Sequence, residues 1–554
     1  MRLTDITVIH PACVPIATQL CRVAKIRETI NHMVQWREAN ARISPGLLLE
    51  TLIICILCDR KPLWKVEQFW AKQDLAFLFP DTGIELSWLN DDAYGHALDK
   101  LAEIEPAQLI SIVSLTLLAA HDLGITKIHL DTTSKSVQGT YDRENRPDFS
   151  VCYGFSKDKR PDLKQFKFGL GVQQNGLPVA GEVLSGNTSD ALWNPKATME
   201  MQSFFANKGF RDVLFVSDCA LISTNSLRDL ARKHIRFISR LPETFSLAGE
   251  LKHRAMTDCI WQEIGSLTSQ IAPEAARYKT ASFKETLDGR TYRFLVVHST
   301  ALEAKKEKTL VRQAARRREQ WEKEAGKLAS TSFVCEADAR QAMEKLVGSI
   351  QSDGFHSQGS VREETRTTYG RRGRPKDGEI PSTTTVYRAE IHVGDMEEAA
   401  WREWKMKESL FVLISTEHKM SDAELLQEYK QQNSVETRFR VLKMPVYLGE
   451  VYLKNERRIQ ALGYVFLLVL LLASYLEYRV RKSLKDRGEG VRLPGNKQTA
   501  TPSLATIFEV LEPIQVVIVG GVRCFPDNLQ AQARNMIIWT GFDPEIYLRP
   551  IAMS

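Results

Sequence analysis

The run at 461–476, ALGYVFLLVLLLASYL, limits the fold more than any other stretch of this 554-residue chain. Its apolar side chains cover every helical face, so a helix made of them has to be buried all round. At 16 residues it falls short of the roughly 20 needed to cross a bilayer. Arg457 and Arg458 precede it, and charged residues from Glu477 to Arg481 follow. It therefore reads as a core helix that needs other layers packed around it. The N-terminus has no charged-then-apolar leader pattern, and the chain is expected to be soluble and cytoplasmic, without membrane contact.

A chain of this length exceeds one ordinary core, so several domains are expected. Residues 1–124 carry helical patterning, with Asn90-Asp91-Asp92 as a helix start. At residue 125 the texture changes to strands: 125–131 ending on Asp131, then 165–173 and 177–186 around the turn-forming Asn175-Gly176. Asp190 is expected to cap a helix running to about Ala206. Strand 212–218 ends on Asp218, helix 224–233 follows, and 236–241 is a strand again. Residues 125–245 thus form the first part of a mixed α/β (α+β) sheet with flanking helices. Residues 246–408 read as an insertion holding strands at 291–297 and 384–392, a charged helix at 302–328 and a polar, Gly-rich loop at 352–382. The pattern returns to the core at 409–490, beginning with the buried strand 409–416. A helix follows over 421–442, with Ser421 and Glu424 as a capping box. Residues 491–554 make a short C-terminal segment.

Nine cysteines, an odd number without regular spacing, exclude a disulfide framework, and Cys55 and Cys58 lie inside an apolar run. A net charge of +6 and a pI near 8.7 permit a nucleic-acid partner without requiring one.

Two aspartates at the C-terminal ends of neighbouring buried strands converge on one point and repel unless a cation lies between them. Oxygen ligands of this kind suit Mg²⁺ or Mn²⁺. In the 421–442 helix, Tyr429, Glu436 and Lys443 recur every seven residues and share one face, with Gln432 and Arg440 beside Glu436. One acid among basic groups suits a metal site that faces phosphate. Each piece also has a plainer reading, an Asp that caps the next turn or a solvated helix face.

Taken in order, these stretches resemble the bacterial insertion-sequence DDE transposases of the Tyr-Arg-Glu-Lys signature group. The blocks are IHLDTTSKSVQG (128–139), YGFSKDKRPDLKQFKFGL (153–170), GNTSD (186–190), FVSDCALIS (215–223), FISRLP (237–242) and VYLKNERRIQALGYVFLLVLLLASYLEYRVR (451–481). The resemblance covers about 85–245 and 409–482. It implies an RNase H-like core with Asp131, Asp218 and Glu436 as the catalytic, metal-binding triad, holding two divalent ions roughly 3.5–4 Å apart. The implied partners are double-stranded DNA, as transposon ends and as target, and a second copy of the chain in the synaptic complex. No small-molecule substrate is implied, and the chain would be nucleoid-associated. The 1–124 domain would bind DNA ends and the 491–554 segment would dimerise. Tyr429, Gln432, Arg440 and Lys443 would contact DNA. The sequence departs from the signature at Gln432, where the group has arginine, and Arg438 or Arg440 is left to compensate.

Three further features fit DNA. Residues 305–327 are rich in Lys and Arg and read either as a solvated helix or as a DNA-facing one. Arg372 and Arg374 lie in an Arg-Gly-Arg-Pro stretch that reads either like the minor-groove core of an AT-hook or as a basic, flexible loop. Trp401 and Trp404 are able either to stack on an extruded base or to pack in a core. Two other readings compete with transposition: a stand-alone metal-dependent nuclease that does not join strands, and a DNA-binding relative that has lost catalysis.

Overall fold

A computed structural model describes residues 6–37, 42–104, 106–141, 149–258, 261–267, 275–368, 380, 382–444, 451 and 453–550. The fold is mixed α/β, with a large mixed sheet flanked by helices. The chain forms two compact units. The first comprises residues 1–239, 287–290 and 415–554, and the second 240–286 and 291–414.

In the first unit the strands lie in the order Pro178–Ser185, Lys164–Gln173, Lys127–Val137, Leu214–Ser217, Arg236–Arg240. The first three are antiparallel to one another. Leu214–Ser217 runs parallel to the strand on either side of it. Antiparallel neighbours connect by tight turns, whereas parallel ones need a crossover. The Asp190–Asn207 helix lies in the connection to Leu214–Ser217, and Thr224–Arg232 in the one that follows. Asp131 does not end its strand as expected. The strand runs on to Val137, because its antiparallel pairing with 164–173 outlasts its short parallel pairing with 214–217.

The apolar run becomes the centre of the helix Glu456–Arg487. This helix is long and apolar enough to cross a membrane, and 94% of its most apolar window is buried inside the protein. Asn455 caps its first turn, and Gly488 ends it in the left-handed conformation that glycine adopts without strain. Gly463 lies against Val183 and Phe168, so the helix axis approaches the sheet closely.

The N-terminal helices Val14–Val23 to Pro106–Ala119 belong to this same unit and do not separate from the sheet. Ser44 and Asn90 cap two of them. Segments far apart in the sequence meet: Ile6–Ile9 pairs with Val516–Val519, and the Tyr547 hydroxyl donates to the Ala12 carbonyl at 2.7 Å.

In the second unit Leu410–Ser415, Arg290–Ser299, Arg277–Leu287 and Gln262–Ser266 lie side by side in that order. The charged helix spans Thr300–Ser330. The loop expected at 352–382 is not one throughout, because Phe355–Thr368 is a strand paired antiparallel with Ser382–Met396. It is exposed along nearly its whole length, so the alternation that marks a half-buried strand is missing.

The helix Asn433–Leu442, which carries Glu436, is joined to the central helix by a buried ion pair. Arg438 donates to Glu477 Oε2 at 2.7 Å and to Ser474 Oγ at 3.1 Å, and Glu477 Oε1 accepts from the Leu504 backbone at 2.9 Å. Both charged side chains are almost fully buried, at 6% and 5% exposure. Removing Glu477 leaves the buried Arg438 charge uncompensated. Glu477→Ala is expected to cost about 3–5 kcal/mol in urea denaturation, and Glu477→Gln, which keeps an acceptor for Leu504, less.

Candidate functional site

The acids of the site come from three segments of the first unit. Asp131 lies in Lys127–Val137 on the same face as His129, two residues away. That face is covered by the helices Asp422–Lys430 and Asn433–Leu442: the buried His129 ring bonds Glu428 Oε1 at 3.0 Å, and Lys127 also pairs with Glu428. Asp218 follows the strand Leu214–Ser217 and caps the turn after it, its Oδ1 accepting from the Ala220 backbone at 3.0 Å. Asn194, from the Asp190–Asn207 helix, donates to the same oxygen at 3.0 Å.

Asp190 was expected to be a helix cap. The cap is Ser189, and Asp190 occupies the first helical position with its carboxylate turned into the site. Its Oδ1 accepts from Thr132 Oγ1 at 2.7 Å and from Lys167 at 2.7 Å. The Lys157 ammonium stands between the acids. It lies 3.1 Å from Asp131 Oδ1, 3.1 Å from Asp190 Oδ2, 2.7 Å from the Thr132 carbonyl and 2.9 Å from Thr132 Oγ1.

The charges act on one another. Burial, together with the like charges of Asp131 and Asp190, pushes the Asp218 carboxyl above the usual carboxylate range. Burial also works against the Asp190 carboxylate, but hydrogen bonds from Lys167 and Thr132 and the charge of Lys157 carry it below that range. Burial pulls on Lys157 as well, yet Asp131 and Asp190 hold it above the ordinary lysine value, so it remains an ammonium.

The helix bearing Glu436 differs from its expected form. The capping box of Ser421 and Glu424 is present, but the helix ends at Lys430 and a new one begins at Asn433. The Ser434 and Val435 amides bond back three residues, to Gln431 and Gln432, which tightens the joint. Tyr429 therefore lies on one helix and Glu436 on the next, and the seven-residue face is broken. Gln432 sits at the joint and donates to the Leu130 carbonyl at 3.4 Å, one residue before Asp131. Glu436 and Arg440 are exposed. Arg438 is committed to Glu477 and does not supply the missing arginine charge. Lys443 is paired with Asp158 at 2.5 Å, and Asp158 also accepts from the Ser136 backbone. Asp158 thus forms its ion pair with a residue expected to meet DNA.

The structure gathers Asp131, Asp190, Asp218, Lys157, Lys167 and Asn194, whereas the exposed Glu436 makes no hydrogen bond or ion pair with them. Among the described residues, no three His, Cys, Asp or Glu side chains are arranged to hold a metal ion as they stand. The donor chemistry nevertheless fits a hard cation, because Lys157 already stands among four oxygens as one. Asp190, Lys157, Lys167 and Asn194 were missed as site residues. The available signal was Lys167, a lysine in the middle of a strand buried along nearly all its length, which needs an acid within reach.

In the second unit Trp401 and Trp404 lie half-buried on the helix Glu398–Glu408, edge to face with ring centroids 6.0 Å apart. Arg317 stacks over Trp404 at 4.9 Å. The basic residues of 305–327 lie on the Thr300–Ser330 helix, where several pair with acids at four-residue spacing or across to neighbouring elements. Arg372 and Arg374 lie outside the described residues.

Residues 10–115 match a family described as a domain of unknown function (DUF4277). The matched stretch stops before Asp131, so the acid cluster lies outside it. No curated protein matches the chain.

Ionising Asp218 works against folding, because its carboxyl titrates higher in the folded chain than in the unfolded one. Stability from this group is greatest in acid and is lost as pH rises from the usual carboxylate range through its elevated value. Asp218→Asn keeps an oxygen for Ala220 and Asn194. It is expected to raise the thermal midpoint in chelator by roughly 1–3 °C at pH 7.5, with the gain fading toward pH 4.

Proposed function

We propose that the chain is a DNA transposase that hydrolyses a phosphodiester at each end of a mobile element and joins the freed 3′-OH to target DNA. The observation that carries this reading is the acid pair on neighbouring parallel strands, Asp131 and Asp218, with the Glu436 helix covering the Asp131 face and tied to that strand through Gln432 and Leu130. The strand order of the first unit, antiparallel strands followed by parallel ones, supports an RNase H-like core.

Asp131 and Asp218 would hold a divalent ion, Mg²⁺ or Mn²⁺, with Glu436 as the third ligand. A pair of such ions supplies a nucleophile at neutral pH and charge stabilisation for the leaving oxygen. The chain's own residues orient the acids: Thr132 N–H and Lys157 fix Asp131, and Asn194 and Ala220 N–H fix Asp218. Glu436 lies on an exposed helix face beside Arg440, so entering DNA meets both together, with the Arg440 charge available to backbone phosphate. Tyr429 would act in binding rather than as a nucleophile. The DNA substrate, a synaptic homodimer and a cytoplasmic, nucleoid-associated setting belong to this same reading.

One observation favours a relative that binds DNA without cutting it, namely that among the described residues no three acids are arranged to hold a metal ion as they stand. A cleavage assay with Mg²⁺ or Mn²⁺ on a duplex taken from the flanks of the encoding gene separates the readings. Wild type is expected to nick at the element end and to join that end to a target plasmid. Nicking without joining would indicate a nuclease, and binding alone the non-catalytic relative. Asp131→Asn and Glu436→Gln are each expected to lower cleavage about a thousandfold, the several kcal/mol that a metal-held group contributes. Binding of the same duplex by gel shift is expected to persist.

A further inference from the structure

We propose that Lys157 is a resident cation of the acid cluster, a positioning residue that holds Asp131 when no divalent ion is bound and yields it when one enters. The inference rests on the metal-site reading above.

An ammonium has three N–H donors, and Lys157 has four oxygens within reach. Its bonds are therefore shared, and one partner can be released without leaving a donor empty. The two acids depend on it unequally. Asp190 is also held by the buried Lys167 and by Thr132 Oγ1. Among the described residues the only other hydrogen bond to Asp131's carboxylate comes from its neighbour's amide, Thr132 N–H, so Lys157 is the one cation bonded to it. An incoming dication thus competes with Lys157 for Asp131, while Asp190 and the Thr132 oxygens keep a place for the ammonium beside the site.

The backbone around Lys157 is fixed, so the side chain alone needs to move. The Lys157 amide donates to Ser134 Oγ at 2.8 Å, and Asp158 is anchored to Ser136 and to Lys443 at the end of the Glu436 helix. The four-carbon lysine stem permits that movement, and the side chain retains 26% exposure as a way out. Asp190 then has a role that its helix position does not explain: it is the counter-charge for the displaced ammonium.

The test is Mn²⁺ binding by the metal-free full-length protein, followed by electron paramagnetic resonance of the free ion, with no DNA present. Lys157→Met removes the competitor and the like charge, and is expected to bind Mn²⁺ about tenfold tighter than wild type, the direction a removed nearby charge dictates. In chelator it is expected to melt below wild type, with the deficit narrowing in saturating Mn²⁺. Lys157→Arg, which keeps the charge, is expected to bind within a few fold of wild type. Lys157→Gln serves if the methionine variant fails to fold, with the same expectation. Affinity equal to or weaker than wild type in a folded Met or Gln variant overturns the proposal. Asp131→Asn, run alongside, separates the two readings: if it binds Mn²⁺ as wild type does, the metal site itself is misplaced.

Discussion

Like charges in a half-buried place have to be neutralised, and that constraint organises the site and the segments leading into it. Asp131, Asp190 and Asp218 come from a strand, a helix start and a strand end, and the charges of Asp131 and Asp190 raise the cost of ionising Asp218. The chain meets this cost with its own cations and dipoles. Lys157 arrives from the connection between two antiparallel strands, Lys167 from inside a strand, and Asn194 from the first turns of a helix. The Lys164–Gln173 strand is buried along nearly all its length, and Lys167 is tolerated there because Asp190 and the Thr188 carbonyl receive its protons. The cluster is therefore an electrostatic joint between sheet and helix as well as a candidate centre for chemistry.

A second joint carries the opposite side of the site. The Glu436 helix is placed by the buried Arg438–Glu477 pair beneath it and by Gln432 at its start. The central helix Glu456–Arg487 thus has two functions, filling the core with its apolar faces and supplying Glu477 as an anchor. Glu477 also receives the Leu504 amide, which couples the C-terminal segment to the same anchor. A position two residues from Glu436 is in this way fixed from the far side of the molecule's core, while Glu436 itself remains at the surface.

The core strands were legible because each is an apolar run closed by a turn residue, and the capping box at Ser421 and the cap at Asn90 were legible because local chemistry decides them. The acid cluster was legible only in part. Asp131 and Asp218 stand out at the edge of apolar runs, whereas Asp190 looks like a cap from its neighbours alone. Its true partners, Thr132 and Lys167, are brought to it by antiparallel pairing, which no local pattern encodes. The strand Phe355–Thr368 was illegible because exposure on both faces removes its period of two. The break between Lys430 and Asn433 was illegible for a different reason. Neither glycine nor proline marks it, and Gln431 and Gln432 keep right-handed helical dihedrals through it.

That break gives the departure at Gln432 a physical meaning. The residue lies at the joint between two helices, and its side chain reaches toward the Asp131 strand. An amide makes this contact as a neutral donor to the Leu130 carbonyl. An arginine here would bring a permanent charge close to Asp131, where Lys157 already stands, and would add a second fixed competitor for any ion the acids hold. A neutral residue at 432 instead leaves the positive charge beside the acids to Lys157 and Lys167. Seating the Glu436 helix and balancing the acids are then separate tasks, performed by Gln432 with Arg438 and by Lys157 with Lys167.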